Sequence, residues 1–81
     1  MNNQFIQKVV ELTETFDATP SAPYKKEWVE GEYSWLLRKN ILDDDFVEYY
    51  VARVSRTEKW KRDRAFATPS HEEGEWEIKI V

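Results

Sequence analysis

The sequence predicts an α+β protein in which one N-terminal amphipathic helix packs on a three- or four-stranded, mainly antiparallel sheet. Apolar residues recur with a helical period from about residue 3 to residue 17, and after residue 28 the period changes to 2. Because 81 residues suffice for one small core, we expect a single domain over 1–81. Its predicted parts are a helix at about 3–17, a linker at 18–27 and a sheet region at 28–81.

The helix is predicted from the spacing of its apolar side chains. Steps of four, three and four residues place one apolar stripe along the helix. Pro20 and Pro23 follow this stretch, and proline cannot continue a helix. The helix is therefore predicted to end near Asp17. The apolar stripe consists of Phe5, Val9, Leu12 and Phe16.

Two strands are predicted in the middle of the chain. Apolar and polar residues alternate from Val29 to Arg38, which is typical of one half-buried strand. A turn is predicted over 40–45, which is rich in Asn and Asp. The segment from Phe46 to Val54 is rich in Val and Tyr and is apolar on both sides, which favours a central strand. The alternative is a helix from Phe46 to about Arg64, capped by the aspartates at 43–45.

Two further strands complete the predicted sheet. A more polar strand is predicted from Lys59 to Phe66, followed by a loop over 67–74. The residues from Trp76 to Ile80 alternate between apolar and charged, which predicts a short final strand. Short connections between successive strands favour an antiparallel meander.

Composition argues against an enzyme. The chain has no cysteine, one histidine and two isolated glycines, so it lacks a thiolate site, a zinc ligand set and a glycine-rich phosphate loop. His71 lies between Ser70 and Glu72, but adjacent residues diverge and do not form a catalytic triad. We expect no catalytic, cofactor or metal site. The lack of cysteine and of a long apolar run indicates a cytoplasmic protein without a membrane segment.

Charge is distributed unevenly along the chain. The twelve residues from Arg53 to Arg64 contain six basic and two acidic residues, net +4, whereas the other 69 residues contain six basic and fourteen acidic residues, net −8. An extended basic strand with Trp60 and Phe66 could stack on bases and contact phosphates. Alternatively, Glu75 and Glu77 would neutralise this strand by cross-strand pairing. The candidate nucleic-acid or partner contacts are Arg53, Arg56, Lys59, Trp60, Lys61, Arg62 and Arg64.

Aromatic residues are more numerous than a small core requires. They make up 15% of the chain, and several lie beside acidic residues near the first predicted strand. Exposed Trp and Tyr next to charge are typical of protein interfaces. The candidate interface residues are Trp28, Tyr33, Trp35, Asp43, Asp44 and Asp45.

The sequence therefore favours a small non-enzymatic interaction module that binds a protein partner or a second copy of itself. Its size and composition are similar to those of small regulators and inhibitors encoded by bacteria or phages. The alternative is a nucleic-acid-binding module that uses the basic segment from Arg53 to Phe66.

Overall fold

A computed structural model describes residues 3–43, 46–70 and 74–81. It contains one helix followed by five strands that form a single antiparallel sheet in the order β1-β2-β3-β4-β5. The predicted α+β class is confirmed, with five strands in place of three or four. The elements are α1 (Asn3–Asp17), β1 (Lys25–Glu30), β2 (Tyr33–Asp43), β3 (Phe46–Ser55), β4 (Arg62–Pro69) and β5 (Trp76–Ile80).

Helix α1 has the predicted bounds and covers one face of the sheet. Phe5, Val9 and Thr13 are fully buried against the strands, while Leu12 and Phe16 pack at the edge of the same core. The helix covers this face because its apolar stripe meets the alternate apolar residues of β2, β3 and β4. The buried strand residues are Trp35, Leu37, Tyr49, Val51, Ala65 and Ala67.

The additional strand arises from a hairpin that the sequence pattern concealed. The prediction of one strand from Val29 to Arg38 is wrong, because the chain reverses at Gly31 and Glu32. Gly31 has φ of 62° and is the first of two loop residues, as in a type II′ hairpin turn. The reversal pairs Trp28 with Trp35 and turns Val29 to the opposite face.

Strand β3 is confirmed, and the alternative helix from Phe46 to Arg64 is wrong. The strand ends at Ser55, whose Oγ accepts hydrogen bonds from the backbone N–H groups of Thr57 and Glu58. A loop over 56–61 follows, so β4 begins three residues later than predicted and includes residues 67–69 of the predicted loop. Residues 71–73 lie outside the described residues.

Two predicted connections are shorter in the structure. Strand β1 begins at Lys25, inside the predicted linker, because an edge strand can expose Lys and Glu side chains along most of its length. Strand β2 extends to Asp43 through the predicted turn, with a β-bulge between Ile41 and Asp43. The rest of that turn, residues 44 and 45, lies outside the described residues.

Candidate interaction surface

The face of the sheet opposite α1 is the candidate site. Since side chains alternate across each strand, this open face carries the residues out of phase with the core. The register aligns them in four rows across the sheet, which we name after their β3 members. The Glu48 row consists of Asn40, Glu48, Thr68 and Glu77, and the Tyr50 row consists of Lys25, Arg38, Tyr50, Phe66 and Lys79. The Ala52 row consists of Glu27, Leu36, Ala52 and Arg64, and the Val54 row consists of Val29, Ser34, Val54 and Arg62.

The centre of the open face is apolar. The rings of Tyr50 and Phe66 lie side by side on β3 and β4, with centroids 5.1 Å apart and planes tilted by 48°. Leu36, Ala52 and Val54 continue the apolar surface and line a depression of about 440 Å³. These residues are half-buried by their neighbours in the sheet, and none of the described elements packs over them.

Charged residues surround this centre and are not evenly mixed. Glu48 and Glu77 lie in the row at one end of the face, while Arg62 and Arg64 lie in the two rows at the opposite end. The open face therefore has an acidic end and a basic end on β3, β4 and β5. On β1, Lys25 and Glu27 are neighbours on the same face and their charged groups are 3.6 Å apart.

The prediction that Glu75 and Glu77 neutralise Arg62 and Arg64 is wrong, because the β4–β5 register does not place these residues opposite one another. Glu77 lies opposite Thr68, two residues beyond Phe66, and the carbonyl of Glu75 accepts a hydrogen bond from the Ser70 N–H group. Across the β3–β4 ladder, Arg62 lies opposite Val54 and Arg64 opposite Ala52. None of the ion pairs between described residues includes Arg62 or Arg64, and both side chains are exposed.

Arg53 lies on the helix-covered face, away from the other candidate contacts. Its Nε is 2.8 Å from Oδ2 of Asp63, the residue opposite it on β4. Its guanidinium carbon lies 4.3 Å from the ring centroid of Tyr33, 4.9 Å from that of Phe5 and 5.7 Å from that of Trp35. Only about a fifth of each side chain of the ion pair is exposed. This position makes Arg53 part of the packing between α1 and the sheet.

The remaining basic candidates belong to the β3–β4 loop. Arg56, Lys59 and Trp60 are exposed there, and the Trp60 side chain has 74% of its surface accessible. Lys61 Nζ lies 2.9 Å from a Glu58 carboxylate oxygen, and this hydrogen bond and the negative charge raise the pKa of Lys61. The loop adjoins the basic end of the open face, so the basic segment divides among the core, the loop and the open face.

The aromatic candidates pack with one another on the helix-covered face. Trp28 stacks on Trp35 with centroids 6.0 Å apart, and Tyr33 meets Trp35 edge to face at 6.3 Å. Trp35 is buried and the other two are half-buried. Trp28 Nε1 donates a hydrogen bond to a carboxylate oxygen of Glu30. The pKa of Glu30 is lowered mainly by its hydrogen bond from Lys8 and, to a smaller extent, by the one from Trp28. Asp43 is exposed at the end of β2, whereas Asp44 and Asp45 lie outside the described residues.

Sequence reasoning missed the residues at the centre of the open face. Leu36, Tyr50, Ala52 and Val54 were absent from the candidates, although the two-sided apolar pattern of β3 was visible. This surface could have been predicted from the sequence, because a single helix can cover only one face of a sheet. An apolar second face of a central strand therefore indicates a surface that something else could cover.

Comparisons with models of protein families, with curated protein sequences and with solved structures found no match. Within the described ranges, no group of three or more His, Cys, Asp or Glu residues is arranged to hold a metal ion. Ser70 lies next to the undescribed residues 71–73, which include the lone histidine. The one helix that the structure describes is too short and too polar to cross a bilayer.

Proposed function

We propose that the protein is a small non-enzymatic interaction module that binds a protein partner through the open face. The observation that supports this function is an apolar sheet centre, bounded by charge, that no described element covers. Such a centre with a charged rim has the organisation of a protein interface. By analogy of size and composition, the module belongs with small regulators or inhibitors of the bacterial or phage type.

Apolar burial would supply most of the binding energy at this face. A partner that covers Tyr50, Phe66 and Leu36 removes their remaining apolar surface from water, which is worth roughly 25 cal/mol per Å² before the costs of association. The charged ends would fix the orientation of the partner, since rim charges contribute more to specificity and association rate than to affinity. We place this activity in the cytoplasm, which the absence of cysteine supports.

The proposal is tested by capture on the immobilised protein, followed by identification of the retained proteins and measurement of binding with each purified one. Phe66→Ser should abolish the interaction because it removes an aromatic ring from the centre of the open face. Trp60→Ala is the matched control, since it removes an aromatic residue from the exposed loop outside that face. Equal loss of binding in both variants, or retention in both, would contradict docking on the open face.

A second candidate function is binding of single-stranded nucleic acid. The Tyr50 row favours it, because two aromatic rings on central strands lie between Arg38 and Lys79. Bases can stack on such rings while cations contact phosphates. Fluorescence anisotropy of a labelled single-stranded oligonucleotide should then show binding that weakens steeply with salt and is reduced by Arg64→Ala. Absence of binding at low salt would rule this function out.

A further inference from the structure

The open face is complementary to itself. We propose that its occupant is a second copy of this chain, packed face to face about a two-fold axis that lies in the interface and crosses the strands at right angles. This inference rests on the proposed protein-binding function and specifies the partner. Two sheets packed in this way form an aligned β-sandwich with a spacing of about 10 Å.

The two-fold axis determines which rows meet. A rotation about an axis across the strands keeps each strand over its own equivalent and reverses the order of the rows. We place the axis midway between the Tyr50 and Ala52 rows. The Glu48 row of one copy then faces the Val54 row of the other, and the Tyr50 row faces the Ala52 row. Every contact away from the axis occurs twice, as an isologous interface requires.

Charges of opposite sign meet under this operation. Arg62 lies opposite Thr68 of the second copy, between Glu48 and Glu77 on the two neighbouring strands. Because adjacent strands are about 4.8 Å apart, the long arginine side chain can reach either carboxylate. At the β1 edge of the same face, Lys25 of one copy faces Glu27 of the other.

The apolar centre also matches in size and chemistry. Tyr50 faces Ala52 of the second copy, so a large side chain meets a small one beside the depression that Ala52 lines. Arg64 faces Phe66, which places a guanidinium over an aromatic ring, a favourable cation–π arrangement. The alternation of large and small residues lets two sheet faces approach closely.

The area of the face is sufficient for a dimer. Five strands and four rows extend over roughly 24 by 27 Å, given the usual spacings of strands and of alternate residues. Because the rows contain 17 residues rather than 20, the two copies together would bury about 1,100 Å², which is above the roughly 1,000 Å² that a specific protein interface needs. A moderate affinity is therefore expected, one that depends on both the charged ends and the apolar centre.

Other occupants and other axes fit less well. An axis parallel to the strands would place Lys79 against Lys25 and leave Arg62 facing Ser34, with no acidic residue opposite it. A nucleic acid would bring phosphates near the carboxylates of Glu27, Glu48 and Glu77, all on the same face. Only the axis across the strands pairs the acidic end with the basic end.

The experiment uses charge reversal at each end and analytical ultracentrifugation of the full chain. Arg62→Glu places an acidic residue opposite Glu48 and Glu77 of the second copy, and Glu48→Lys with Glu77→Lys places two basic residues opposite Arg62. Each variant alone should dissociate, with the dimer dissociation constant raised at least about 10-fold relative to the wild type. An equimolar mixture should restore a heterodimer of near wild-type affinity, because each altered end then meets its complement. A variant that failed to fold could not produce this restoration.

Arg56→Glu is the matched control, because it makes the same charge change in the β3–β4 loop, and it should leave the dimer intact. A wild-type protein that stays monomeric up to about 0.1 mM, or a mixture that does not associate, would overturn the inference. In that case Phe66-dependent binding of a different protein would leave the proposed function standing. A monomer whose Phe66-dependent ligand is a single-stranded oligonucleotide would overturn both.

Discussion

Replacement of Arg53 tests whether this residue stabilises the fold, as its position in the structure indicates. Arg53→Ala removes a 2.8 Å ion pair with Asp63 and the packing of a guanidinium among three aromatic rings. A charge-assisted hydrogen bond contributes about 1.5–3 kcal/mol, and a cation–π contact about 0.5–2 kcal/mol. Partial exposure of both side chains reduces these values, so we expect a loss of about 2–3 kcal/mol in the free energy of unfolding.

The assay is urea-induced unfolding monitored by tryptophan fluorescence. In a domain of this size the expected loss corresponds to a decrease of about 10–20 °C in Tm. Arg56→Ala is the comparison, because its side chain is exposed in the β3–β4 loop and joins no ion pair between described residues, and it should change stability by about 0.5 kcal/mol or less. A double-mutant cycle with Asp63→Ala isolates the coupling between the two charges.

Two results would refute the reasoning. If Arg53→Ala and Arg56→Ala changed the free energy of unfolding equally, the placement of Arg53 in the helix–sheet packing would be contradicted. If the cycle gave no coupling between Arg53 and Asp63, the ion pair would contribute nothing and the effect of Arg53 would have to come from its ring contacts alone.

Three further predictions concern the turn, the core and a buried phenol. Gly31→Ala should destabilise the protein by about 1 kcal/mol in urea unfolding, because φ is 62° there although space for a Cβ exists. Leu37→Ala should cost about 2–5 kcal/mol in the same assay, because Leu37 is fully buried. Burial and the nearby Asp17 raise the pKa of Tyr49 to about 12. The unfolded state then loses its proton first, so stability should fall between about pH 10 and 12, and Tyr49→Phe should remove this decrease in pH-dependent unfolding.

Each of these three predictions would be contradicted by a specific result. A Gly31→Ala protein as stable as the wild type would contradict the left-handed conformation of the turn. A small effect of Leu37→Ala would contradict its position in the core. Ionisation of all tyrosines near pH 10 in an ultraviolet titration would contradict the burial of Tyr49.

The elements that depend on local pattern could be predicted from the sequence. Helix α1 was predicted with its observed bounds because its apolar period and the following prolines are local properties. Strand β5 was predicted for the same reason, from a clean alternation bounded by a glycine. The hairpin at Gly31 was missed because Val29 and Gly31 continue the sequence alternation of β2 without a break, although the two-residue turn places Val29 on the opposite face of the sheet.

The candidate site was predicted only in part, because it depends on contacts between distant residues. Arg62 and Arg64 were recognised from their charge, and the structure places them on the open face. Arg53, by contrast, points to the helix-covered face, because a strand turns residues of odd and even number to opposite sides. Trp28 stacks on Trp35 because the hairpin pairs these two residues on the helix-covered face.

The sequence by itself determined the α+β class, the helix and the presence of excess aromatic and basic residues. Only the tertiary structure decided which of those residues lie together, because strand register depends on pairing across the sheet and a shift of one residue reverses every side chain. The register placed Tyr50 and Phe66 side by side, with the acidic row at one end of the open face and the arginines at the other. The charge asymmetry seen along the chain thus became an asymmetry across one surface.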